Sequence, residues 1–235
     1  MPRYLALIPA AGSGSRLGSA QPKQYLSLAG RALIQHAVER LCRHPRIAAV
    51  FVVLSPEDSL FRTLDWGPDD GWQAKLQPLY CGGATRAASV LNGLSAAYSA
   101  FEDDDWVLVH DAARPCLSAA DIDRLLDETM PGDDGSLLAV PVADTVKRAG
   151  DDGKVSDTLS RQGLWRAQTP QMFRYAALLD ALQRADPAQV TDEAAAMEQA
   201  GARPRLVRGS ETNLKVTYAP DLELAEWILN GRATQ

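Results

Sequence analysis

The stretch from Tyr4 to Gln24, YLALIPAAGSGSRLGSAQPKQ, constrains the fold of this chain more than any other. An apolar run of strand type, Tyr4 to Ile8, ends in Pro9, and small residues with alternating glycines follow. Gly12 and Gly14 can adopt positive φ angles, and without a Cβ they let successive backbone N–H groups converge on an anion. The stretch therefore predicts a strand that runs into a phosphate-binding loop.

Two basic residues flank this glycine loop. Arg16 offers a planar guanidinium and Lys23 a compact ammonium, and both groups favour a bound phosphate. The alternative is a glycine-rich turn that only joins a strand to a helix. Because two cations lie beside the loop, we favour phosphate binding over that alternative.

The loop differs from two common glycine motifs. A dinucleotide fingerprint has the spacing Gly-x-Gly-x-x-Gly, whereas the third glycine here, Gly18, comes one position late. A Walker loop needs Lys and then Ser or Thr directly after its last glycine, but Ser19 and Ala20 follow Gly18. The sequence therefore disfavours both hydride transfer from a dinucleotide and a Walker-type phosphate loop.

Segments of strand type and of helical spacing alternate along the chain. Such alternation predicts an α/β fold with a doubly wound, mostly parallel sheet, right-handed crossovers and helices on both faces. The predicted strands are Tyr4–Ile8, Ile47–Leu54, Leu76–Tyr80, Trp106–Val109, Ser136–Val142, Arg203–Arg208 and Lys215–Thr217. The predicted helices are Ala32–Cys42, Thr85–Phe101, Arg174–Arg184, Asp192–Gln199 with Thr191 as its N-cap, Asp221–Leu229 and one beginning at Ser55-Pro56.

Three of the predicted strands end in loops of small or acidic residues, namely Pro9–Gly12, Cys81–Gly83 and His110–Ala113. Ligands of an open parallel sheet bind beyond the carboxyl ends of its strands, so these loops are expected to form one site. Asp111 could hold Mg²⁺ there, directly or through water, or it could cap a helix or pair with Arg114. A second acidic run, Glu102–Asp105, precedes its strand and therefore lies at the opposite edge of the sheet from the expected site. We expect it to be a solvated turn.

Composition limits the classes of protein to which the chain can belong. Its 235 residues, 46% apolar and 23% charged, suit a single globular domain spanning 1–235, and no stretch is apolar enough to cross a membrane. A net charge of −6 argues against nucleic-acid binding. Three scattered cysteines argue against a disulfide framework and a zinc site, and no signal-peptide pattern opens the chain. We expect a cytoplasmic protein.

Residues 144–158 break the α/β pattern. The segment DTVKRAGDDGKVSDT has little apolar content and a Gly-Asp-Asp-Gly centre, which is typical of a hairpin turn. It could equally be a mobile surface loop. Because an exposed two-stranded ribbon is marginally stable alone, a hairpin here predicts a partner.

Motifs along nearly the whole chain, in the same order, resemble those of the 2-C-methyl-D-erythritol 4-phosphate cytidylyltransferase family, CTP-dependent enzymes of the non-mevalonate isoprenoid pathway. The glycine loop alone would indicate only the wider class of sugar and polyol nucleotidyltransferases. The other motifs are Pro22–Tyr25, Gly82–Arg86, Val109–Pro115, Thr169–Gln171, Thr191–Glu193 and Asn213–Thr217.

The resemblance implies a Rossmann-like nucleotidyltransferase fold, CTP and a polyol phosphate as substrates, Mg²⁺, and a homodimer in which residues 144–158 form a dimerisation β-arm. It implies that Arg16, Lys23 and Lys215 are catalytic and that Asp111 is the metal ligand. The nucleotide would contact Ala10, Ala11, Gly12, Gly14, Gly83, Ser89, Asp111 and Ala112. The polyol phosphate would contact Arg114, Thr145, Arg161, Thr169 and Thr191, with Arg161 reaching the partner's substrate.

The implied chemistry needs no general base, because a phosphate monoester has a second pKa of about 6 and is largely ionised at neutral pH. Catalysis then rests on positioning and on neutralising charge, which agrees with a chain that lacks a nucleophile motif. His36, His44 and His110 show no catalytic spacing.

Two positions depart from the family pattern, since Ala84 and Thr212 stand where acidic residues are common. Alternatives are therefore kept. The chain could act on another polyol phosphate, such as ribitol 5-phosphate, or it could be a nucleotide-binding regulator without turnover. The cations Arg16, Lys23 and Lys215 weigh against the regulator.

Overall fold

A seven-stranded sheet forms the centre of the protein. We describe it from a computed structural model, which covers residues 2–12, 21–186 and 189–233. The strands are β1 (Tyr4–Pro9), β2 (Ser27–Leu28), β3 (Arg31–Ala32), β4 (Ile47–Val53), β5 (Leu76–Leu79), β6 (Trp106–Val109), β7 (Ser136–Pro141), β8 (Val146–Ala149), β9 (Val155–Leu159), β10 (Trp165–Arg174) and β11 (Arg205–Arg208). The helices are α1 (Leu33–Cys42), α2 (Arg86–Ala96), α3 (Ala119–Glu128), α4 (Tyr175–Arg184), α5 (Glu193–Gln199) and α6 (Ala219–Ala233).

The order of the strands in the central sheet is β11-β7-β10-β6-β1-β4-β5. All neighbouring pairs are parallel except those of β10, which runs antiparallel to both β6 and β7. The predicted α/β class with a mostly parallel sheet is therefore confirmed. The antiparallel direction of β10 brings residues from the second half of the chain to the carboxyl ends of β1 and β6.

Helices cover both faces of this sheet, as the doubly wound prediction requires. Alternate residues of β1 point to opposite faces, because side chains of a strand have a period of two. Ala6 and Ile8 pack in one apolar cluster with residues of α1 and α3, whereas Leu5 and Leu7 pack in another with residues of α2, α4 and α5. Each fully buried Leu or Ile in these clusters contributes about 1.5–3 kcal/mol to folding.

Three elements differ from the sequence prediction in the first part of the chain. Helix α3 was not predicted, although the Ser118 hydroxyl caps it by accepting from Asp121 N–H at 3.0 Å. No helix begins at Ser55; a short 3-10 helix, Phe61–Thr63, follows instead, and Phe61 N–H donates to the Asp58 carboxylate at 2.9 Å. Helix α2 ends at Ala96, five residues before the predicted end, and a 3-10 turn follows.

Two further corrections concern the last third of the chain. Asp192, not Thr191, caps α5, because its carboxylate accepts from Ala195 N–H at 2.9 Å. Residues 215–217 form an extended loop, not a strand. The loop is held by the Val216 N–H, which donates to the Ala113 carbonyl at 2.8 Å.

The prediction of a solvated acidic turn is wrong for Asp105. This carboxylate is fully buried and accepts from Arg3 N–H at 2.9 Å, while the Arg3 guanidinium also pairs with it. The turn therefore anchors the start of the chain beside β6 and is not merely solvated.

The predicted hairpin at residues 144–158 is present. Strands β8 and β9 pair antiparallel, and Gly153 adopts a φ of 74° in the turn between them. Most of the ribbon is exposed, including Val155 at 62%. Its role in a dimer stays a prediction. No helix in the described ranges is both long and apolar enough for a membrane span.

Candidate active site

A cavity of about 480 Å³ lies beyond the carboxyl ends of β1 and β6 and beside the start of α2. The three loops expected to form one site, after β1, β5 and β6, all contribute to its wall. The predicted residues that line it are Ala10, Ala11, Gly12, Lys23, Gly83, Ser89, Asp111, Ala112 and Lys215. Gly14 and Arg16 lie outside the described residues.

Glycines at two positions let the loops approach closely. A Cβ added to Gly82 would lie 2.2 Å from the Ala11 Cβ and 2.8 Å from the Leu54 carbonyl oxygen. A Cβ added to Gly83 would lie 2.7 Å from the Ala88 Cβ. Neither position has room for a side chain. The close approach of Gly82 to Ala11 joins the β1 loop to the β5 loop.

The Ser89 hydroxyl braces the Gly83 loop from inside α2. It accepts from Gly83 N–H at 3.0 Å and donates to the Thr85 carbonyl at 2.9 Å, and the side chain is almost fully buried. Gly83 and Ser89, both expected to contact the nucleotide, thus contact each other in this structure. A direct contact of Ser89 with nucleotide stays a prediction.

Asp111 is the acidic residue in the wall of this cavity, and cations surround it. Its carboxylate lies 2.7 Å from Lys215 Nζ, 2.9 Å from Arg86 Nε and 3.8 Å from Arg114 Nε. Burial alone would raise the pKa of Asp111, but the positive charges of Arg86 and Lys215 outweigh burial and hold that pKa well below its usual range. The carboxylate is therefore ionised at neutral pH.

Sequence reasoning missed two residues behind Asp111. Arg86 donates two further hydrogen bonds to the fully buried Glu193 carboxylate, at 2.6 and 2.9 Å. Both residues fall in the quoted motifs, and a lone Glu followed by Ala-Ala-Ala-Met could have indicated a buried carboxylate that needs a partner. The pair joins the starts of α2 and α5 and holds Arg86 against Asp111.

The loop that carries Lys215 is fastened to the short 3-10 helix that carries Lys23. The Lys23 ammonium donates to the Val216 carbonyl at 2.9 Å, and Gln24 Nε2 donates to the Ala10 carbonyl at 2.8 Å. Both predicted catalytic lysines therefore face the same cavity. The Lys215 side chain remains 42% exposed.

A smaller cavity of about 140 Å³ adjoins the first and shares Arg86, Asp111 and Lys215 with it. Predicted substrate residues Arg114, Thr169 and Thr191 line this second cavity. The Arg114 guanidinium donates to the Asn213 carbonyl at 2.7 Å, while its Nε is buried without a hydrogen-bond partner.

The other two predicted substrate residues lie apart. Thr145 directly precedes β8 and Arg161 follows β9, so both lie at the open base of the β8–β9 hairpin. Both are exposed and line neither cavity. Within one chain the structure therefore brings together most residues predicted to contact the nucleotide and part of those predicted to contact the polyol phosphate.

The residues present fit a divalent cation held mainly by substrate phosphates. Asp111 supplies an ionised carboxylate at the cavity, and Mg²⁺ is commonly held by one or two carboxylates together with phosphate oxygens. Among the described residues there is no group of three or more His, Cys, Asp or Glu side chains that could form an all-protein metal site.

Comparison with known proteins identifies the family. The sequence profile described as 2-C-methyl-D-erythritol 4-phosphate cytidylyltransferase matches residues 4–231 of this chain. The chain belongs to this family. A 2-C-methyl-D-erythritol 4-phosphate cytidylyltransferase from Azoarcus sp. (strain BH72) is 58% identical, with 98% of this chain and 96% of that protein covered. One from Nitrosospira multiformis is 56% identical, with 98% and 99% covered.

A solved structure leads to the same family. The crystal structure of Francisella tularensis 2-C-methyl-D-erythritol 4-phosphate cytidylyltransferase superposes with a TM-score of 0.81 at 34% identity, with 96% of this chain and 99% of that chain covered. Family membership confirms the resemblance, the nucleotidyltransferase type of α/β fold and the enzyme class. Nucleotidyltransferases typically use a divalent metal.

Proposed function

We propose that this protein transfers the cytidylyl group of CTP to 2-C-methyl-D-erythritol 4-phosphate. A phosphate oxygen of the acceptor attacks the α-phosphorus of CTP, and the bond from that phosphorus to pyrophosphate breaks. The products are 4-diphosphocytidyl-2-C-methyl-D-erythritol and pyrophosphate. The main support for this proposal is the cluster of Lys215, Arg86 and Arg114 around one ionised carboxylate, Asp111, where two cavities meet.

The two adjoining cavities suit two phosphorylated substrates. The larger one, bounded by the β1 loop and the start of α2, would hold CTP, because its glycines and alanines let a nucleotide approach the backbone. The smaller one would hold the acceptor phosphate, for which the Nε of Arg114, which makes no hydrogen bond, is a directional donor. Lys215 and Asp111, which line both, would then lie at the reacting centre.

The residues of the site can promote this transfer without a general base. The acceptor phosphate is already largely ionised at neutral pH, since its second pKa is about 6. Lys23 and Lys215 would neutralise charge that develops on the transferring phosphoryl group and on the departing pyrophosphate. Fixing both substrates against one charged cluster would supply the remaining acceleration through orientation.

The metal in this proposal is Mg²⁺, held by Asp111 and the substrate phosphates. When bound, it supplies further neutralisation of the phosphate charge. Lys215 and Arg86 keep Asp111 ionised, which metal binding requires.

The assembly in this proposal is a homodimer of single cytidylyltransferase domains, each spanning 1–235. The exposed β8–β9 hairpin would cross to the partner, and Arg161 and Thr145 would there complete the acceptor site that one chain leaves partly built. A cytoplasmic location belongs to the same proposal, and the reduced state of Cys42, Cys81 and Cys116 is consistent with it.

Release of pyrophosphate from CTP tests this function. The purified protein is assayed with Mg²⁺ and either 2-C-methyl-D-erythritol 4-phosphate or ribitol 5-phosphate, in parallel. We expect release with the first acceptor and little with the second. Pyrophosphate release with ribitol 5-phosphate alone would show that ribitol 5-phosphate is the acceptor. CTP binding without pyrophosphate release in the presence of either acceptor would favour a regulator.

A further inference from the structure

His110 is fully buried beside Asp111 and lines neither cavity. Its ring nonetheless contacts both segments that carry acceptor residues. Nε2 lies 3.1 Å from the Arg114 carbonyl oxygen, and Nδ1 lies 3.0 Å from the Thr169 hydroxyl. The proposed chemistry gives this histidine no role, so its two contacts need an explanation.

The direction of each hydrogen bond follows from the groups involved. A carbonyl oxygen only accepts, so Nε2 must carry a proton and donate to Arg114. The ring is fully buried and meets an uncharged group at each nitrogen, so the neutral tautomer with an unprotonated Nδ1 toward Thr169 satisfies both contacts. The Thr169 hydroxyl donates to that nitrogen and accepts from Asp111 N–H at 3.0 Å.

A local irregularity of β10 brings Thr169 to this position. Ala167 pairs with Ala139 and Gln171 pairs with Leu137, so the segment between Ala167 and Gln171 is two residues longer than its partner on β7. Such bulges redirect side chains out of the regular alternation. The bulge lets a hydroxyl from the antiparallel strand meet the end of β6.

The resulting chain of hydrogen bonds fixes both ends of the short segment 110–114. Asp111 is held at its backbone N–H through Thr169, and Arg114 is held at its carbonyl by the same ring. The segment is closed again by the bond from Arg114 N–H to the Asp111 carbonyl at 3.0 Å.

We propose that His110, as the Nε2–H tautomer, is a positioning residue that sets Asp111 relative to Arg114 and so aligns the two substrates. This inference rests on the proposed function, because Asp111 lies in the walls of both cavities and Arg114 in that of the acceptor cavity. Loss of this positioning should lower kcat, because a misplacement of about 1 Å between reacting groups can lower the rate about a hundredfold.

Three substitutions of His110 separate its contacts. His110→Phe keeps an aromatic ring but removes both hydrogen bonds, and we expect kcat to fall about a hundredfold with little change in the KM for CTP. His110→Asn retains an acceptor for the Thr169 hydroxyl, and His110→Gln retains a donor toward Arg114. Each is expected to recover part of kcat.

A second buried histidine provides the control for folding effects. His44 is 3% exposed and lies at the amino-terminal side of β4, where it contacts Asp123 at 3.2 Å. His44→Phe is expected to lower the thermal midpoint but to leave kcat unchanged. A folded His110→Phe protein with the kcat of the wild type would overturn the positioning role.

Nitrogen NMR of the wild-type protein labelled with ¹⁵N-histidine tests the hydrogen-bond chain without an assay. We expect the ring proton of His110 on Nε2, and a shift of the Nδ1 resonance in Thr169→Val that Thr169→Ser largely avoids. A proton on Nδ1 would overturn the proposal. A wild-type protein without cytidylyl transfer would instead contradict the proposed function, while the spectrum still decides how His110 is bonded.

Discussion

The Lys215 ammonium lies 2.7 Å from the Asp111 carboxylate, which joins the last loop of the site to the carboxyl end of β6. Asp111 is buried, whereas Lys215 remains partly exposed to both cavities. The buried partner fixes the position of the ammonium while the ammonium stays available to a phosphate. The same pair thus holds the loop and leaves a positive charge at the two cavities, where the proposed substrates would bind.

Replacing Lys215 should affect catalysis more than folding. We expect Lys215→Met to lower kcat on the order of a hundredfold, equivalent to about 3 kcal/mol, because it removes charge needed in the transition state. Lys75→Met is the matched control, since Lys75 lies before β5, at the opposite edge of the sheet. Steady-state kinetics compare the two, and equal activities would remove Lys215 from the mechanism.

The stability contribution of Asp111 should depend on pH. Its pKa is lower in the folded protein than in the unfolded chain, where it is about 3.9. Its stabilising contribution is therefore present above that value and is lost as the pH falls through the folded pKa. Asp111→Asn should reduce the free energy of unfolding by on the order of 2–3 kcal/mol at pH 7, and by less in acid, because the cations lose their partner.

Urea unfolding at pH 7 and at pH 3 measures this difference. The exposed Asp151→Asn serves as the control and should leave both values unchanged. A loss in Asp111→Asn that is the same at both pH values would show that the carboxylate charge is not what stabilises the loop.

The phosphate loop is tested at Lys23 and Arg16. Lys23→Ala and Arg16→Ala should each lower kcat by about a hundredfold or more, because each removes a cation expected at the triphosphate. Arg184→Ala, on the exposed surface of α4, is the control. Circular dichroism confirms folding, and near wild-type turnover in either variant would exclude that residue from phosphate activation.

The β8–β9 hairpin is tested by deletion. Removing Thr145 to Asp157 and joining the ends with a short glycine linker should give a monomer or a much weaker dimer, because the ribbon has few apolar contacts within its own chain. CTP binding should persist, since the larger cavity is built by other segments. Sedimentation and CTP titration measure the two effects. A deletion variant that dimerises as tightly as the wild type would contradict the prediction that this hairpin holds the dimer together.

Arg161 is tested by mixing subunits. Arg161→Ala should weaken binding of the acceptor phosphate and hardly change that of CTP, and Arg161→Lys should restore it only in part. Arg148→Ala is the control in the same hairpin. If Arg161 serves the partner, a heterodimer of Arg161→Ala and Lys23→Ala subunits has one site with both defects and one intact site. Activity should then return to about half of the wild-type value per heterodimer. Inactive heterodimers would refute the prediction that Arg161 reaches the substrate of the partner subunit.

The sequence predicted most strands of the parallel part of the sheet and the loops that line the larger cavity, because both depend on local patterns. Continuous apolar runs marked β4, β6 and β7 within a residue at their ends. The loops at Pro9–Gly12, Cys81–Gly83 and His110–Ala113 do meet at one edge, since parallel strands bring their carboxyl ends together. Motif spacing then led to the family.

Pairings between distant residues could not be predicted in this way. Nothing local to Arg86 indicates that it bonds Glu193, 107 positions away, and nothing local to β10 fixes its antiparallel direction. Thr191 and Asp192 are both good helix caps, and only the path of the backbone decides between them. Ser89 and Thr169 were predicted to contact substrates, but the fold directs their hydroxyls toward backbone and histidine partners.

The hydrogen bond from Lys23 to the Val216 carbonyl connects positions 193 residues apart, so it can form only when synthesis of the chain is nearly complete. A nascent chain grows from its N-terminus, at about 5–20 residues per second. The glycine loop therefore leaves the ribosome long before Lys215 and Val216 exist to close the cavity. A ligand stabilises only a chain that can bind it. Cellular CTP should accordingly protect the finished protein from proteolysis while giving truncated products little protection.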